Sequence, residues 1–190
     1  MEIVPLNISG AWLANSKINT DSRGKFREWF KLNDIQIVTG VTFETRQANI
    51  STSSRGTVRG IHYSLSKEGQ AKWVTCVSGK IRDVVVDIRV GSPTFGKWIN
   101  IEISASDGNS ILVGHGLGHG FSALEDNTCV AYLVSVEYSP DEEFEIYPLD
   151  EFLNIDWGVS KEEMNISEKD RLAPGVDIRK IKNQLPMWEK

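Results

Sequence analysis

The sequence predicts an all-β fold, a sandwich or barrel of short antiparallel strands with a few short peripheral helices. Turn signals such as SRG, SGK, GSP, SDGN and EDN divide the chain into short β-rich segments at fairly regular spacing. Helical periodicity is scarce before residue 160, and short helices or turns are expected in the SKEEMNISEKDRLAPG segment and in the last ten residues. No repeat or linker divides the chain, so residues 1–190 are predicted to form a single domain.

Composition narrows the partners and the compartment. The 190 residues carry a formal net charge of -5 with both signs interspersed, which argues against binding a nucleic-acid backbone. Any anionic ligand must therefore be met by local positive charges. Cys76 and Cys129 lie in apolar alternating stretches, as reduced core residues do. No apolar run reaches membrane-spanning length and the N-terminus lacks the features of a signal peptide, so a cytoplasmic protein without a membrane partner is expected.

Two segments place polar side chains on strand faces that would be interior. In FETRQANIS, one face carries the polar row Thr45, Gln47, Asn49 and Ser51. That row could line a wet cavity or meet solvent, as one face of many antiparallel sheets does. The stretch from residue 59 to residue 89 sets ionisable residues on predicted strands, namely Arg59, His62, Lys72, Asp83 and Asp87. Burying charges is costly unless they are paired or meet an anionic ligand, so we interpret these residues as the lining of a binding cavity.

The segment HGFSALEDNTCVAYLVSVEY predicts a hairpin that turns at residues 126–127. In that pairing Tyr132 lies on the same face as His119, one diagonal step or about 7 to 8 Å away, which leaves space for a small ring between them. Strand parity puts Tyr138 on that face too. For either Tyr132 or His119 alone, an ordinary core residue with a hydrogen-bond partner is the competing interpretation.

The three histidines support two hypotheses. His115 and His119 form the pair HGLGH and would share a face in a strand, so one hypothesis is a β-barrel metal site with His62 as third ligand. The other is proton chemistry without a metal, in which a histidine is the base, a carboxylate orients it, a tyrosine is the acid and a lysine stabilises an oxyanion. For the carboxylate, the spacing of SEKD by itself marks Asp170 as a helix-capping residue.

Eight motifs follow one another from about residue 8 to residue 175, in the order TDSRGKFREWF, QANIS, RGIHY, GQAKWV, GKIRDVVVDIRVGSPTFGKW, GLGHGF, YLVSVEYSP and ISEKDRLAPG. Together they resemble the dTDP-4-dehydrorhamnose 3,5-epimerase family, whose members act on dTDP-4-keto-6-deoxyglucose. The resemblance implies a cupin-type antiparallel β-barrel, or jelly roll, and no metal or organic cofactor. It also implies a homodimer, in which we expect the N-terminal segment MEIVPLNISGAW to add to a sheet of the partner subunit.

The resemblance assigns roles to individual residues. His62 matches the family's base and Asp170 the carboxylate paired with it, which replaces the capping interpretation. Tyr132 matches the acid on the opposite face of the sugar, and Lys72 matches a lysine near the C4 oxygen. The motifs also match positions that bind the nucleotide sugar: Arg59 for the diphosphate, Tyr138 beside the thymine ring, and His119, Arg23, Phe26, Glu28, Gln47 and Asn49.

The expected function is therefore that of an isomerase, the epimerisation of dTDP-4-keto-6-deoxy-D-glucose at C3 and C5 in deoxysugar biosynthesis. Two departures, GHGLGHGF for a proline-containing PxGFAHGF and IYPLDEFLNIDW for a WND-like stretch, point to a branch in which some members invert a single centre. Because all the matched catalytic residues are present, double inversion is the favoured hypothesis. The alternatives are a single-centre epimerase, a metal-dependent cupin enzyme and a catalytically silent binding protein.

One geometric difficulty accompanies these roles. Arg59 and His62 are three residues apart and should face opposite sides of a regular strand, whereas the resemblance needs both in one cavity. A bulge or local twist at Gly60 would reconcile them.

Overall fold

The computed structural model describes residues 1–188 of the chain. The helices in this range are short, α1 Leu32–Thr39, α2 Glu168–Arg171 and α3 Val176–Ile181. The strands are, in chain order, β1 Glu2–Pro5, β2 Ala11–Asn15, β3 Ile18–Asp21, β4 Gly24–Arg27, β5 Gln47–Ser53, β6 Thr57–Ser64, β7 Lys72–Ser78, β8 Lys80–Asp87, β9 Trp98–Ser104, β10 Asn109–Val113, β11 Leu117–Ala123, β12 Thr128–Val134, β13 Glu143–Glu145 and β14 Asn165–Ile166.

Two sheets share one apolar core. The first sheet has the strand order β1-β2-β10-β7-β12-β5, and the second has the order β13-β6-β11-β8-β9 with the short β14 beside β6. All their pairings are antiparallel except that of β14 with β6. Both sheets contribute buried residues to this core, including Val74, Ile111 and Val130 from the first and Val85, Ile103 and Phe121 from the second. The predicted all-β architecture with a few short helices is confirmed.

Strand alternation buries further apolar residues on the outer faces of the sheets. On β7, Val74 belongs to the core between the sheets, whereas the neighbouring Trp73 packs in a separate cluster with Ile35 of α1 and Phe43. On β8 of the second sheet, Val85 faces the core between the sheets. Val84 and Val86 point to the opposite face, where they join a cluster that includes Trp157. Because successive side chains point to opposite faces, these strands read as nearly continuous apolar runs.

The predicted hairpin around residues 126–127 is wrong. Strand β11 pairs with β6 and β8 in the second sheet, whereas β12 pairs with β5 and β7 in the first. The turn at Asn127, which has a φ of 54°, therefore carries the chain from one sheet to the other. Alternation identifies both strands but carries no information on which strands become neighbours. As a result, His119 and Tyr132 lie in different sheets rather than one diagonal step apart in the same sheet.

The helices agree only partly with the prediction. Helix α1 lies well before residue 160, and only Ile35 of its eight residues is buried, so it shows no periodic apolar stripe. Helix α2 lies in the SKEEMNISEKDRLAPG segment as expected, and α3 begins directly after that segment. Of the last ten residues, 182–188 hold turns and an isolated bridge, and 189–190 lie outside the described residues.

Two further expectations concern cysteines and membrane spans. Cys76 is buried and Cys129 is half-buried, and both are free thiols, as predicted. Burial raises the pKa of Cys76 to about 11, so its thiol stays protonated and unreactive near neutral pH. Within residues 1–188, no helix has the length and apolar character needed to cross a bilayer.

Candidate active site

A cavity of about 570 Å³ is lined by residues of both sheets and of α2. Its volume lies within the range of about 300 to 1,000 Å³ that small-molecule sites occupy. Eight of the predicted site residues line it together: His62, Asp170, Tyr132, Lys72, Arg59, Gln47, Asn49 and Tyr138.

His62 and Asp170 form a hydrogen-bonded pair in this cavity. His62 lies on β6 and Asp170 in α2, and the imidazole Nε2 lies 2.7 Å from the carboxylate Oδ1. The imidazole side chain is 39% exposed and the carboxylate side chain 5%, so the histidine is the member that a ligand can reach. Burial acts to raise the pKa of Asp170, but hydrogen bonds from His62, Ser167 and the Gly60 backbone outweigh burial and hold that pKa below its usual value. A charged Asp170 can orient the imidazole and support it as a base.

Asp170 also fits the capping pattern that its spacing predicts. The Ser167 hydroxyl accepts a hydrogen bond from the backbone N–H of Asp170 at 3.1 Å and so caps α2. The cap uses the backbone of Asp170 and the pair with His62 uses its side chain. The two interpretations are therefore compatible, and the cap helps to fix the direction of the carboxylate.

The difficulty with Arg59 and His62 is resolved by a bulge at Gly60, as predicted. Arg59 pairs with Phe121 and His62 pairs with His119, so three residue steps along β6 lie opposite only two along β11. Strand β6 therefore has one extra residue between Arg59 and His62, which is a bulge. Gly60 has a φ of +129°, and a Cβ there would lie 2.6 Å from the Cα of Gly120. Only glycine accepts both the φ value and the close approach of β11. The shift lets Arg59 and His62 line the same cavity.

Lys72, at the start of β7, is a buried cation beside the His62–Asp170 pair. Its Nζ lies 3.5 Å from the backbone oxygen of His62. Burial lowers the pKa of Lys72, whereas the negative charges of Glu143 and Asp83 oppose that shift. A lysine held in this way can stabilise negative charge on a ligand oxygen.

Tyr132 reaches the cavity from the other sheet. It lies on β12 of the first sheet, whereas His62 lies on β6 of the second. Burial raises the pKa of the Tyr132 phenol and nearby Glu143 raises it further, while the positive charge of Arg59 opposes both. The phenol is therefore protonated at neutral pH and can donate a proton into the cavity.

Two members of the predicted polar row, Gln47 and Asn49 of β5, line the cavity, whereas Thr45 is exposed and precedes the strand. The amide nitrogen Nε2 of Gln47 donates to Oδ1 of Asn49 at 2.7 Å, and both side chains line the cavity. The backbone N–H of Tyr138 donates to Oε1 of Gln47 at 2.9 Å, which places an exposed aromatic ring at the same wall. Of the two interpretations of this row, a cavity lining is the one that fits Gln47 and Asn49.

His119 is close to the site without lining the cavity. It pairs in register with His62 across the β6–β11 ladder, and its Nε2 lies 2.9 Å from the carboxylate Oδ2 of Asp83. His119 and Asp83 are both buried. The structure therefore sets His119 behind the residues that a ligand would touch.

Arg23, Phe26 and Glu28 are not brought to the cavity of the same chain. Arg23 and Phe26 belong to the β3–β4 hairpin and line a separate depression there. Phe26 is 66% exposed, and the Arg23 guanidinium lies 2.6 Å from the carboxylate of Asp21. Glu28 pairs with Lys31 at 2.9 Å. If these residues bind a nucleotide, they do so away from this chain's cavity.

The structure does not bring the three histidines together. His62 contacts Asp170, His119 contacts Asp83, and His115 is exposed. Among residues 1–188, no group of three or more histidine, cysteine, aspartate and glutamate side chains is arranged to hold a metal ion. The arrangement of these side chains gives the metal-site hypothesis no support.

Several cavity residues are not predicted from the sequence. Gln70 donates from Nε2 to the carboxylate Oε1 of Glu143 at 2.7 Å, and both line the cavity, as does Lys169. Glu143 lies in the acidic run SPDEEFE, which is typical of an exposed loop. Lys169 directly precedes Asp170, but charge on a short helix usually marks a solvated face. Gln70 lies two residues before Lys72, so both side chains would face the same side of an extended segment. That spacing is the one local signal that could have indicated Gln70.

Comparison with known proteins bears out the resemblance. A sequence model of the dTDP-4-dehydrorhamnose 3,5-epimerase family matches residues 5–177. A dTDP-4-dehydrorhamnose 3,5-epimerase from Mycobacterium tuberculosis is 42% identical over 191 residues, which cover 100% of this chain and 95% of that protein. The structure of the M. tuberculosis rmlC epimerase is similar with a TM-score of 0.95 at 42% identity, covering 99% of this chain and 94% of that chain.

A 3'-monoepimerase is also similar to this chain in structure. A 3'-monoepimerase from Streptomyces bikiniensis, solved in complex with dTDP-quinovose, has a TM-score of 0.91 at 38% identity, covering 96% of this chain and 92% of that chain. Family match, identity and coverage agree over nearly the whole sequence. The chain belongs to the dTDP-4-dehydrorhamnose 3,5-epimerase family.

Proposed function

We propose that this protein inverts C3 and C5 of dTDP-4-keto-6-deoxy-D-glucose without a metal or an organic cofactor. One observation carries the proposal. His62, which is paired with Asp170 of α2, and Tyr132 lie on different sheets around one cavity, with the buried Lys72 close to His62. Epimerisation needs a base on one face of the sugar and an acid on the other, and this arrangement supplies both.

The first step is removal of a proton from carbon next to the C4 ketone. His62 takes this proton on the ring nitrogen that does not contact Asp170, and the charged carboxylate stabilises the imidazolium that forms. Negative charge then develops on the C4 oxygen as the enolate forms. Lys72 is the cation that stabilises it, and its burial strengthens that interaction because the surroundings are poor in water.

The second step is return of a proton to the opposite face. Tyr132 donates its phenolic proton to the carbon, which inverts the centre and leaves a tyrosinate that solvent reprotonates. Its raised pKa keeps the proton on the phenol until the enolate is present. The imidazolium of His62 releases its proton to solvent and so becomes a base again. Inversion of the second centre then repeats the same two steps at the other carbon beside the ketone, so the sugar must be presented to His62 a second time.

Four cavity residues support binding of the nucleoside diphosphate part of the substrate. Arg59 supplies the positive charge that a diphosphate needs in a protein of net charge -5. Gln47 and Asn49 offer amide groups for hydrogen bonds, and the exposed Tyr138 ring offers a surface on which a base can stack.

The proposal is tested by incubating the protein with dTDP-4-keto-6-deoxyglucose and analysing the sugar by NMR. The expected product has both C3 and C5 inverted. Substrate that stays unchanged at high enzyme concentration, with dTDP shown to bind, would leave a binding protein as the better description.

A second candidate is inversion of C3 alone. The observation that favours it is the similarity to proteins named as 3-epimerases, among them dTDP-4-dehydro-6-deoxyglucose 3-epimerase from Streptomyces bikiniensis at 38% identity over 185 residues. The GLGHGF and YPLD segments point the same way. The same NMR experiment separates the two candidates, because a 3-epimerase leaves the C5 configuration intact.

We also propose that two copies form a homodimer in which the β3–β4 hairpin of one protomer completes the cavity of its partner. The exposed Phe26 and Arg23, which the cavity of the same chain does not use, support this arrangement. Strand β1 is the outer strand of the first sheet, so its free edge can add to a sheet of the partner.

A cytoplasmic location is part of the proposal. Two free cysteines, one of them fully buried, suit a reducing compartment. Fractionation of cells that express the protein tests it, and recovery from an oxidising compartment would contradict it.

A further inference from the structure

Strand β13 is a short edge strand, and each of its residues lines the cavity. Glu143, Phe144 and Glu145 make up the whole strand, and all three line the cavity. The strand lies at the edge of the second sheet and, within residues 1–188, pairs with β6 alone, where Glu145 is in register with His62. Backbone hydrogen bonds between Leu65 and Glu142 and between Ile61 and Ile146 continue this pairing at both ends of the strand. Side-chain contacts act on the edge of β13 that faces away from β6.

Arg179 of α3 provides those contacts from outside the cavity. Its Nε donates to the backbone oxygen of Glu145 at 2.9 Å, and its Nη2 lies 3.5 Å from the carboxylate Oε1 of the same residue. The guanidinium lies over the Phe144 ring, 5.1 Å from its centroid. Nη1 donates to the side-chain oxygen of Gln184 at 2.9 Å. The Arg179 side chain is only 8% exposed and does not line the cavity, so its contacts reach the cavity through β13.

Glu145 passes this contact on to α2. Its second carboxylate oxygen, Oε2, lies 3.1 Å from Nζ of Lys169. Glu145 is the ladder partner of His62, and Lys169 is the chain neighbour of Asp170. The Glu145–Lys169 ion pair therefore joins α2 to the β6–β13 ladder alongside the His62–Asp170 hydrogen bond. Because α2 has only four residues, this ion pair adds to the contacts that limit how far the Asp170 carboxylate can move.

We infer that Arg179 and Glu145 are positioning residues for the proposed epimerisation, which hold β13 and α2 so that Asp170 stays within hydrogen-bond distance of His62. This inference rests on the proposed function. Neither residue transfers a proton. Arg179 lies beyond residues 5–177, which the family model matches, and belongs to none of the motifs that resemble the family.

The contact between Arg179 and Glu145 is expected to be stronger than the ion pair between Glu145 and Lys169. Arg179 and Glu145 are largely removed from water, with side chains 8% and 16% exposed, so loss of either leaves a buried group without its partner. Lys169 is 60% exposed, and ion pairs with such an exposed member contribute little by themselves. Replacing Arg179 is therefore expected to have the larger effect.

The test compares Arg179→Met with two milder substitutions. Arg179→Lys keeps the positive charge and Glu145→Gln keeps the shape of the side chain, so these two variants can be measured even if Arg179→Met folds poorly. Uptake of solvent deuterium into dTDP-4-keto-6-deoxyglucose is measured well below the melting temperature of each variant. In Arg179→Met, kcat should fall about 10- to 100-fold while KM changes by less than about threefold, because alignment and not binding is lost. The kcat values of Arg179→Lys and Glu145→Gln should lie between those of Arg179→Met and the unaltered protein.

Arg82→Met is the matched control. Arg82 likewise forms side-chain ion pairs, with the carboxylates of Asp156 at 2.6 Å and Glu102 at 3.0 Å, but these partners lie outside the cavity, whereas Glu145 lines it. This variant should lose stability and keep its kcat. A downfield proton NMR signal from the His62–Asp170 hydrogen bond should weaken in Arg179→Met and persist in Arg82→Met.

The outcomes separate this inference from the proposed function. No deuterium uptake by the unaltered protein sinks the proposed function, and the NMR signal then decides the positioning role by itself. An active protein whose Arg179 and Glu145 variants keep their kcat, or whose Arg82→Met variant loses as much, overturns the positioning role alone.

Discussion

His62 and Tyr132 have tasks that can be separated by experiment, because one removes a proton and the other returns it from a different sheet. His62→Ala should abolish exchange of the carbon-bound hydrogen of the substrate with solvent. Tyr132→Phe should impair product formation more than exchange, since the base alone can remove and return a proton on one face. Exchange followed by NMR in heavy water checks both. Equal exchange rates for His62→Ala and the unaltered protein would refute the assignment of the base.

Lys72 sets the pH at which activity declines on the basic side. Burial lowers its pKa, so as pH rises it loses its proton below the usual lysine range, and the enolate then loses its cation. The pKa of Tyr132 is raised, so the phenol loses its proton at a higher pH than an ordinary tyrosine does. The basic limb of the exchange rate should therefore remain in Tyr132→Phe and move to higher pH in Lys72→Arg. A basic limb that vanishes in Tyr132→Phe would instead belong to the tyrosine.

Residue roles were predictable to unequal degrees. His62, Tyr132 and Lys72 stand in motifs that resemble the family, and their strand positions put them in one cavity. Asp170 was predictable only through the resemblance, because its local spacing indicates a cap and its partner is 108 residues away in the chain. Contacts such as Arg179 with Glu145 depend on how distant segments meet, and no local pattern encodes that.

At the scale of elements, the bulge in β6 is the feature on which the cavity depends. Gly60→Ala should lower the stability of folding by about 2 to 4 kcal/mol and abolish most activity, since a Cβ at a φ of +129° meets the β11 backbone at 2.6 Å. Chemical denaturation and the exchange assay measure the two effects.

Gly24→Ala is the matched control for this substitution. Gly24 has a nearly equal φ of +126° but nothing within 4 Å of its added Cβ, so it isolates backbone strain from the clash. If Gly60→Ala were no more destabilising than Gly24→Ala, the close approach of β11 would not be what requires glycine in β6.

The predictability of the elements follows from what alternation encodes. Alternation and turn signals locate strands such as β11 and β12, but the pairing of β11 with β8, and of β12 with β7, is decided by packing over long sequence separations. The predicted hairpin failed for that reason. Helix α1 escaped prediction because Ile35 is its only buried residue, so the helix has no periodic apolar face to show in the sequence.

For the whole molecule, the dimer proposal makes a prediction that a monomeric account does not. Light scattering at micromolar concentration should give twice the chain mass of 21.3 kDa. Mixing and refolding His62→Ala with the double variant Arg23→Ala/Phe26→Ala should restore activity, because the mixed dimer contains one cavity with an intact base and an intact partner hairpin. A fully active monomer, or no restoration after mixing, would contradict the shared site.

The central claim is that one cavity inverts two centres through His62 on one sheet and Tyr132 on the other. Turnover of dTDP-4-keto-6-deoxyglucose in heavy water, followed by mass spectrometry with time, tests it most directly. Two deuterons should be taken up promptly, at C3 and at C5, each at the rate of product formation or faster. Uptake at a single carbon throughout the reaction would contradict it.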